Sequence, residues 1–307
     1  MKLLKLLAAS LMLMGSFGMS AIAGEPKDKV SVGFVYVGPT GDHGWTYRHD
    51  IGRQQVEEAF GDRVETRFVE SVAYGADATR VFTQMAMQGV DIIFGTSFGY
   101  MDPMLDVAEK FPDTKFEHAT GYKTNGTNMT NYGLRLYQAR HVQGVIAGMM
   151  TKTNKICYVA AYPIPEVVRE INTYYLGAKK MNPDVEILIT WVNTWYDPVK
   201  ESQAAEVMMA QGCDMVAQHT DSPAPLQAAE KQGKLGFGQA SDQFNFAPSA
   251  QLTATIDNWG PYYIRKVKAV LDGNWETGDY FGHMNEGAVQ MAPFTNMPAA
   301  VESMAQE

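Results

Sequence analysis

Cysteine is scarce in this chain: of 307 residues only Cys157 and Cys213 carry a thiol, and neither has a second cysteine or a histidine at metal-ligand spacing. A cysteine-based metal centre and a disulfide-dense scaffold are thereby excluded. Each cysteine lies in an apolar, strand-like run. Export would permit a bridge between them, but two buried free thiols are the expectation. Basic charge is in deficit, with 25 Lys and Arg against 34 Asp and Glu for a formal charge of −9, which argues against a nucleic-acid partner. No apolar run reaches the roughly 20 residues that a membrane span needs. No cysteine stands directly after the expected cleavage site near Ala23, as a lipid anchor would require.

What is present begins with an export pattern. Lys2 and Lys5 flank or precede the apolar run Leu6 to Met14, and Ala21-Ile22-Ala23 stands before Gly24, the three parts of a cleaved secretory signal. Loss of residues 1–23 removes two lysines and no acid, taking the formal charge from −9 to −11. The ~284 residues left exceed what one core usually holds, so two domains are expected. A hydrophobic content of 46% marks an ordinary globular chain rather than a disordered one.

Short apolar runs alternate with longer amphipathic ones, the pattern of parallel βαβ units in an α/β fold. Strands are expected at Ser31 to Val37, Val64 to Val69, Asp91 to Gly95, Lys115 to Ala119, Lys155 to Ala161, Val185 to Val192, Asp214 to Gln218, Leu235 to Gln239 and Leu252 to Ile256. Asp102-Pro103 and Asp197-Pro198 each offer an N-cap and a first-turn proline, while Gly89 and Gly212 close helices. Met87-Gln88-Gly89-Val90-Asp91-Ile92-Ile93 is echoed by Ala210-Gln211-Gly212-Cys213-Asp214-Met215-Val216. That echo points to two lobes of one architecture, the first ending near Asn131 and resumed after the strand that ends at Ile256.

The strand Val30 to Val37 runs into Gly38-Pro39-Thr40-Gly41-Asp42-His43-Gly44-Trp45, a loop at the edge where open α/β sheets bind ligands. It lacks the glycine spacing that cradles a pyrophosphate, so a small organic ligand is expected there. Gly95-Thr96-Ser97-Phe98-Gly99 matches a nucleophile elbow, but the helix signal at Asp102-Pro103 comes too late for that strained turn, so a serine hydrolase using Ser97 is the minor alternative. Asp42, His43, His49 and Asp50 lack metal-ligand spacing; a solvated helix face carrying Arg48, His49, Asp50 and Arg53 is the expectation, with no metal and no cofactor. Trp45, Phe98, Tyr100, Tyr162, Trp195 and Trp259 all fall at C-terminal ends of expected strands, where flat side chains can sandwich a planar ring. Asp42, Thr46, Ser97, Asn193, Asp221, Ser222, Gln239 and Asp242 supply polar companions.

Taken as an ensemble, five segments resemble the basic membrane protein family of solute-binding receptors for ABC importers, on the side of its purine nucleoside receptors. They are Asp42-His43-Gly44-Trp45-Thr46 through Gly52, Gly89 through Gly95 leading to Phe98, Ala108 through Asp113, Gly144 through Lys152, and Gly238 through Gln243. The resemblance implies a type I periplasmic binding protein: two Rossmann-like lobes, residues 24–131 with about 257–280 and residues 132–256 with about 281–307, joined by a three-segment hinge. It implies a periplasmic, monomeric, non-enzymatic receptor that delivers a purine-type ligand to an inner-membrane permease. A chemosensory partner would use the same lobes. The ligand set expected is Asp42, Trp45, Thr46, Ser97, Phe98, Gly99, Tyr162, Trp195, Asp221, Asp242 and Asp257. Where the family's loop reads Asp-Asp-x-Ser-Phe-Asn, this chain has Gly41 to Thr46. At the family's ribose contacts it has Ala240 in place of an acid and Asp257 in place of a lysine. Losing hydroxyl partners weakens selection for a sugar, so a free nucleobase, adenine first, is expected over a nucleoside.

Overall fold

The computed structural model describes residues 25–307; the expected signal over residues 1–23 lies outside the described residues. Strand and helix alternate through β1 (Val30–Val35), α1 (Trp45–Phe60), β2 (Val64–Val69), α2 (Ala76–Met87), β3 (Ile92–Gly95), α3 (Met101–Ala108), β4 (Lys115–Ala119) and β5 (Met129–Leu134). A second run follows: α4 (Tyr137–Met150), β6 (Lys155–Ala160), α5 (Pro165–Met181), β7 (Glu186–Trp191), α6 (Pro198–Ala210), β8 (Met215–His219), α7 (Ala224–Lys231), β9 (Leu235–Gly238) and β10 (Gln251–Asp257). The chain closes with α8 (Gly260–Leu271), β11 (Tyr280–Gly282), β12 (Val289–Met291) and α9 (Ala299–Gln306).

These strands form two six-stranded sheets, ordered β11-β5-β4-β3-β1-β2 and β12-β10-β9-β8-β6-β7. The two orders are the same once the second is renumbered from β6, apart from the edge strands β11 and β12. Strand pairs are parallel except β10 with β12, which run antiparallel. The chain passes between the sheets three times, after β5, after β10 and after β11. The strand β5, absent from the expected set, carries the first sheet on to Leu134. Its sequence, Met-Thr-Asn-Tyr-Gly-Leu, is buried on both faces without being uniformly apolar, so no hydrophobic run announces it.

Each sheet is covered on both faces, as parallel sheets require. In the first, Val32, Phe34 and Phe94 pack under Trp259, Tyr263 and Val267 on one side, while Val81, Phe82 and Met104 fill the other. Helix ends follow local chemistry. Asp197 caps α6 by accepting from the Lys200 amide at 3.1 Å, and Gly89 and Gly212 sit at φ +74° and +103°, where a side chain would be strained. The Asp102 cap does not form: Tyr100 is the capping residue of α3 and makes no side-chain cap bond. A 3₁₀ turn over Phe98–Tyr100 starts the helical path directly after Ser97, so the coil expected between Ser97 and Asp102 is absent.

Cys157 of β6 and Cys213, just ahead of β8, form a disulfide with Cα atoms 5.8 Å apart, which corrects the expectation of two free thiols. The 56-residue separation hides the reason. Strands β6 and β8 are neighbours in the sheet, and the crossover helix α6 between them brings the two apolar runs side by side.

Candidate functional site

In both sheets the strand order reverses beside the first strand, between β1 and β3 and between β6 and β8. Such switch points open a crevice at the carboxyl ends of the strands. Here the two crevices face each other. A tight cavity of about 10 Å³ between them is lined by Val37, Trp45, Ser97, Phe98 and Thr120 from the first lobe and by Ile164, Glu166, Trp195, His219 and Asp221 from the second.

The aromatic walls are held differently. Trp45 is the first residue of α1 and only 7% exposed. Its indole nitrogen donates to the Thr96 carbonyl at 2.6 Å, and its ring meets His49 and Trp259 edge-on. Trp195, beyond β7, is half-buried and leans on Tyr162 with centroids 5.2 Å apart. Its indole N–H reaches across the lobes to the Tyr74 hydroxyl at 2.5 Å, and that hydroxyl shares a 2.6 Å hydrogen bond with Ser97 Oγ. The lobes also meet where Arg48 Nε donates to the Asp257 carbonyl at 2.8 Å. Gln243 Nε2 and Ser241 Oγ both donate to the His43 carbonyl. Gly44 lies so close to Asp221 that a Cβ there would stand 2.2 Å from its carbonyl oxygen.

Buried carboxyls gather around the cavity. Burial pushes Asp42 up to about 6 despite its amide hydrogen bonds. Burial, followed by the charges of Asp42, Glu201 and Asp257, pushes Asp221 well above the usual carboxylate range. Asp257 is pushed up to about 8 by burial and Glu170, against the pull of Arg48 and Arg140. Glu170 is the exception: burial raises it, but His219 and Arg140 outweigh that and hold it below its ordinary value. The Arg140 guanidinium, fully buried, donates to Glu170 at 3.0 Å, to Gln143 at 2.8 Å and to the Gln218 carbonyl at 2.7 Å.

Of the expected ligand set, Trp45, Ser97, Phe98, Trp195 and Asp221 converge on the cavity. The others stand elsewhere. Asp42 clamps the start of α1, accepting from the amides of Gly44, Thr46 and Tyr47 at 2.8–2.9 Å, so its acceptors are already used. Thr46 is wholly buried and accepts from the Gly38 amide. Gly99 backs onto the Tyr74 ring. Tyr162 lines a wider opening with Tyr74, Trp195 and Tyr196. Asp242 accepts from the Phe244 amide and from Gln251 at 3.0 and 2.7 Å. Asp257 is 0% exposed with both carboxylate oxygens unpartnered, and it does not line the cavity. Tyr100 and Trp259 turn into the core. The expected solvated face of α1 is corrected too: His49 is 0% exposed against Tyr263 and stacked on Trp259, and Asp50 is buried under Arg53 and Tyr36, because α8 covers that side of α1.

The hydrolase alternative fails on geometry other than helix timing. Ser97 Oγ bonds the Tyr74 hydroxyl, and His118 Nε2 reaches only the Ser97 carbonyl, at 2.9 Å. Among the described residues no imidazole is placed to take the serine proton. Glu166, Glu170 and His219 bring one ligand atom each within 4.8 Å of one another, but Glu170 is committed to Arg140, whose charge opposes a second cation.

Sequence reasoning missed Glu166 and Ile164 altogether. Glu166 follows Pro165 in the first turn of α5, where an acid is ordinary helix chemistry. Its signal lay in the echo between lobes: Ile164 and Glu166 follow β6 as Trp45 follows β1, at the same edge of the same architecture.

Residues 29–306 match the family described as PnrA-like ABC transporter substrate-binding proteins. The chain is 54% identical over 285 residues to a purine-binding protein of Brucella abortus, covering 93% of this chain and 81% of that one. It is 44% identical over 260 residues to a Haloferax volcanii protein named provisionally as an ABC transporter glucose-binding protein, covering 85% of this chain and 66% of that one. An ABC transporter solute-binding protein from Aeropyrum pernix K1 superposes with a TM-score of 0.79 at 21% identity, covering 86% of this chain and 76% of the other. That likeness speaks to the fold alone.

Proposed function

From the chain's membership of the PnrA-like ABC transporter substrate-binding proteins, to which it belongs, we propose that it captures a purine nucleobase between its lobes in the periplasm and presents the closed form to an inner-membrane permease as a monomer. The family is one of substrate-binding receptors, and the cavity, with its aromatic rings and unpaired carboxyls, suits that role. Its relative in Brucella abortus, named for purine binding, supports the ligand class.

The observation that carries the base over the nucleoside is the fate of Ala240 and Asp257. Ala240 is 0% exposed with φ +60°, its amide donating to Thr255 Oγ1 at 3.0 Å and its carbonyl accepting from the Asp257 amide. Asp257 is sealed behind the cavity wall. Neither offers a group to sugar hydroxyls. Trp45 and Phe98 from one lobe and Trp195 from the other form the flat walls, and Asp221 accepts a ring or exocyclic N–H. The cavity is small, about 10 Å³, well under the roughly 300–1,000 Å³ of ligand sites, so the lobes must part to admit a base. Closure follows the hinge scheme, in which the ligand must bind the closed state more tightly than the open one.

Calorimetric titration of refolded, ligand-stripped protein with adenine, hypoxanthine, adenosine and glucose tests this reading. Tight binding of a free base with weak binding of adenosine is expected. Binding of adenosine alone overturns the base assignment, and binding of glucose alone replaces the purine reading with a sugar one, as the Haloferax volcanii relative is named.

A further inference from the structure

We propose that Glu166 is the specificity-determining residue of this site, reading the edge of the bound purine as one donor beside one acceptor. The inference rests on the purine reading above and deepens it.

Two buried acids line the inner cavity, Asp221 and Glu166, and Glu166 is the one that also borders a second space. It is 7% exposed, lines the inner cavity and also lines the adjoining space with Arg169 and Asp279. Within the described residues its carboxyl takes part in no hydrogen bond; His219 Nε2 stands 3.8 Å from it. Neither nearby cation bonds it. Arg140 on α4 is bound to Glu170 and to three other acceptors, and Arg169 lies over the rings of Tyr137 and Phe281 at 5.4 and 5.1 Å with its buried Nε unpartnered. Facing Glu166 are Arg169 and Glu170 on α5, Arg140 on α4, His219 at the end of β8, Asp221 just beyond it, Asp257 on β10 and the Tyr158 hydroxyl on β6.

A buried carboxylate with no donor is costly, whereas the same group as a carboxylic acid carries one O–H donor and one carbonyl acceptor. Burial and then the Glu170 charge push Glu166 well above its ordinary range, with Arg169 and Arg140 opposing, which favours the neutral form of the carboxyl. That form matches adenine, whose 6-amino donor adjoins the N1 acceptor, in a paired two-bond contact. It matches the N1–H and O6 edge of hypoxanthine equally well. Guanine has that same N1–H and O6 edge and, beside it, two adjacent donors in N1–H and the 2-amino group, so it can pair with either form of the carboxyl. The proton on Glu166 therefore decides adenine binding and leaves guanine binding insensitive to it.

The sign follows from this. Raising the pH through the Glu166 value converts the donor–acceptor pair into two acceptors, so adenine binding weakens while guanine keeps a two-bond contact through its N1–H and 2-amino donors. The test is titration of the ligand-stripped chain with adenine and with guanine across that pH range, repeated with Glu166→Gln, whose amide keeps one donor and one acceptor at every pH. The wild-type chain is expected to favour adenine at the acidic end and to lose about 5- to 150-fold of that affinity at the alkaline end. Glu166→Gln is expected to retain adenine with a flat profile. A flat wild-type profile, or a slope that survives unchanged in Glu166→Gln, overturns the role of Glu166 while leaving the purine reading intact. The wild-type profile decides this even if the variant fails to fold. Binding of neither base at any pH overturns both.

Discussion

At the scale of single residues, the two tryptophans of the cavity separate binding from stability. Trp195 is half-buried and tied to the first lobe only through Tyr74. Trp195→Ala should therefore cost about 2–4 kcal/mol of ligand affinity and less than about 1 kcal/mol of unfolding free energy, read by calorimetry and by urea unfolding. Trp45 is a core side chain with its N–H bonded to Thr96. Trp45→Ala should lower unfolding free energy by about 3–5 kcal/mol as well as affinity; a variant that loses only affinity would show that the indole is not part of the core. The residues legible in the sequence were those whose chemistry is conspicuous where it stands: Trp45, Phe98 and Trp195 are large rings just past apolar runs. Asp42 was legible as important but not in its role, because a carboxylate two residues ahead of a glycine fits either a ligand contact or a clamp on backbone amides. Glu166 was not legible, since its meaning comes from what fails to touch it.

Among elements, the strands with uniform apolar runs were readable, and β5 and the short edges β11 and β12 were not. Their residues are fixed by neighbours that arrive from distant parts of the chain rather than by local pattern. The same holds for the disulfide, which links β6 to the approach to β8. Replacing both Cys157 and Cys213 with serine should lower the stability of the second lobe by about 2–4 kcal/mol. The first lobe should be unaffected, and thermal unfolding with and without reductant checks both. The loop leading into α1 offers a sharper test of closure. Because Gly44 packs against the Asp221 carbonyl of the other lobe, Gly44→Ala should weaken ligand binding while leaving the melting temperature of the empty protein nearly unchanged. Equal affinity would mean that this contact is not part of the liganded state.

For the whole molecule, the buried acids at the meeting of the lobes set a pH dependence opposite to that of a typical salt-bridged protein. Asp42, raised to about 6, and Asp257, raised to about 8, hold protons more tightly folded than unfolded. The stability they support is present below the ordinary carboxylate range and is lost as pH rises through these values. Asp257→Asn should raise the melting temperature at pH 8, with the gain vanishing towards pH 4; a variant equally destabilised at both would show that the carboxyl is needed for its shape and not for its proton. The interleaving of the two sheets also governs how the chain becomes a protein. The first sheet is completed by β11, whose Tyr280 pairs with Tyr132, and the second by β12, which begins at Val289. A chain emerging from its N-terminus therefore has all of β1 to β5 in hand long before either lobe can be finished, and contacts of such long range form slowly. Both lobes reach completion together only when nearly the last strand has been delivered, so a chain cut short between residues 257 and 280 carries two unfinished sheet edges, not one folded lobe and one missing lobe.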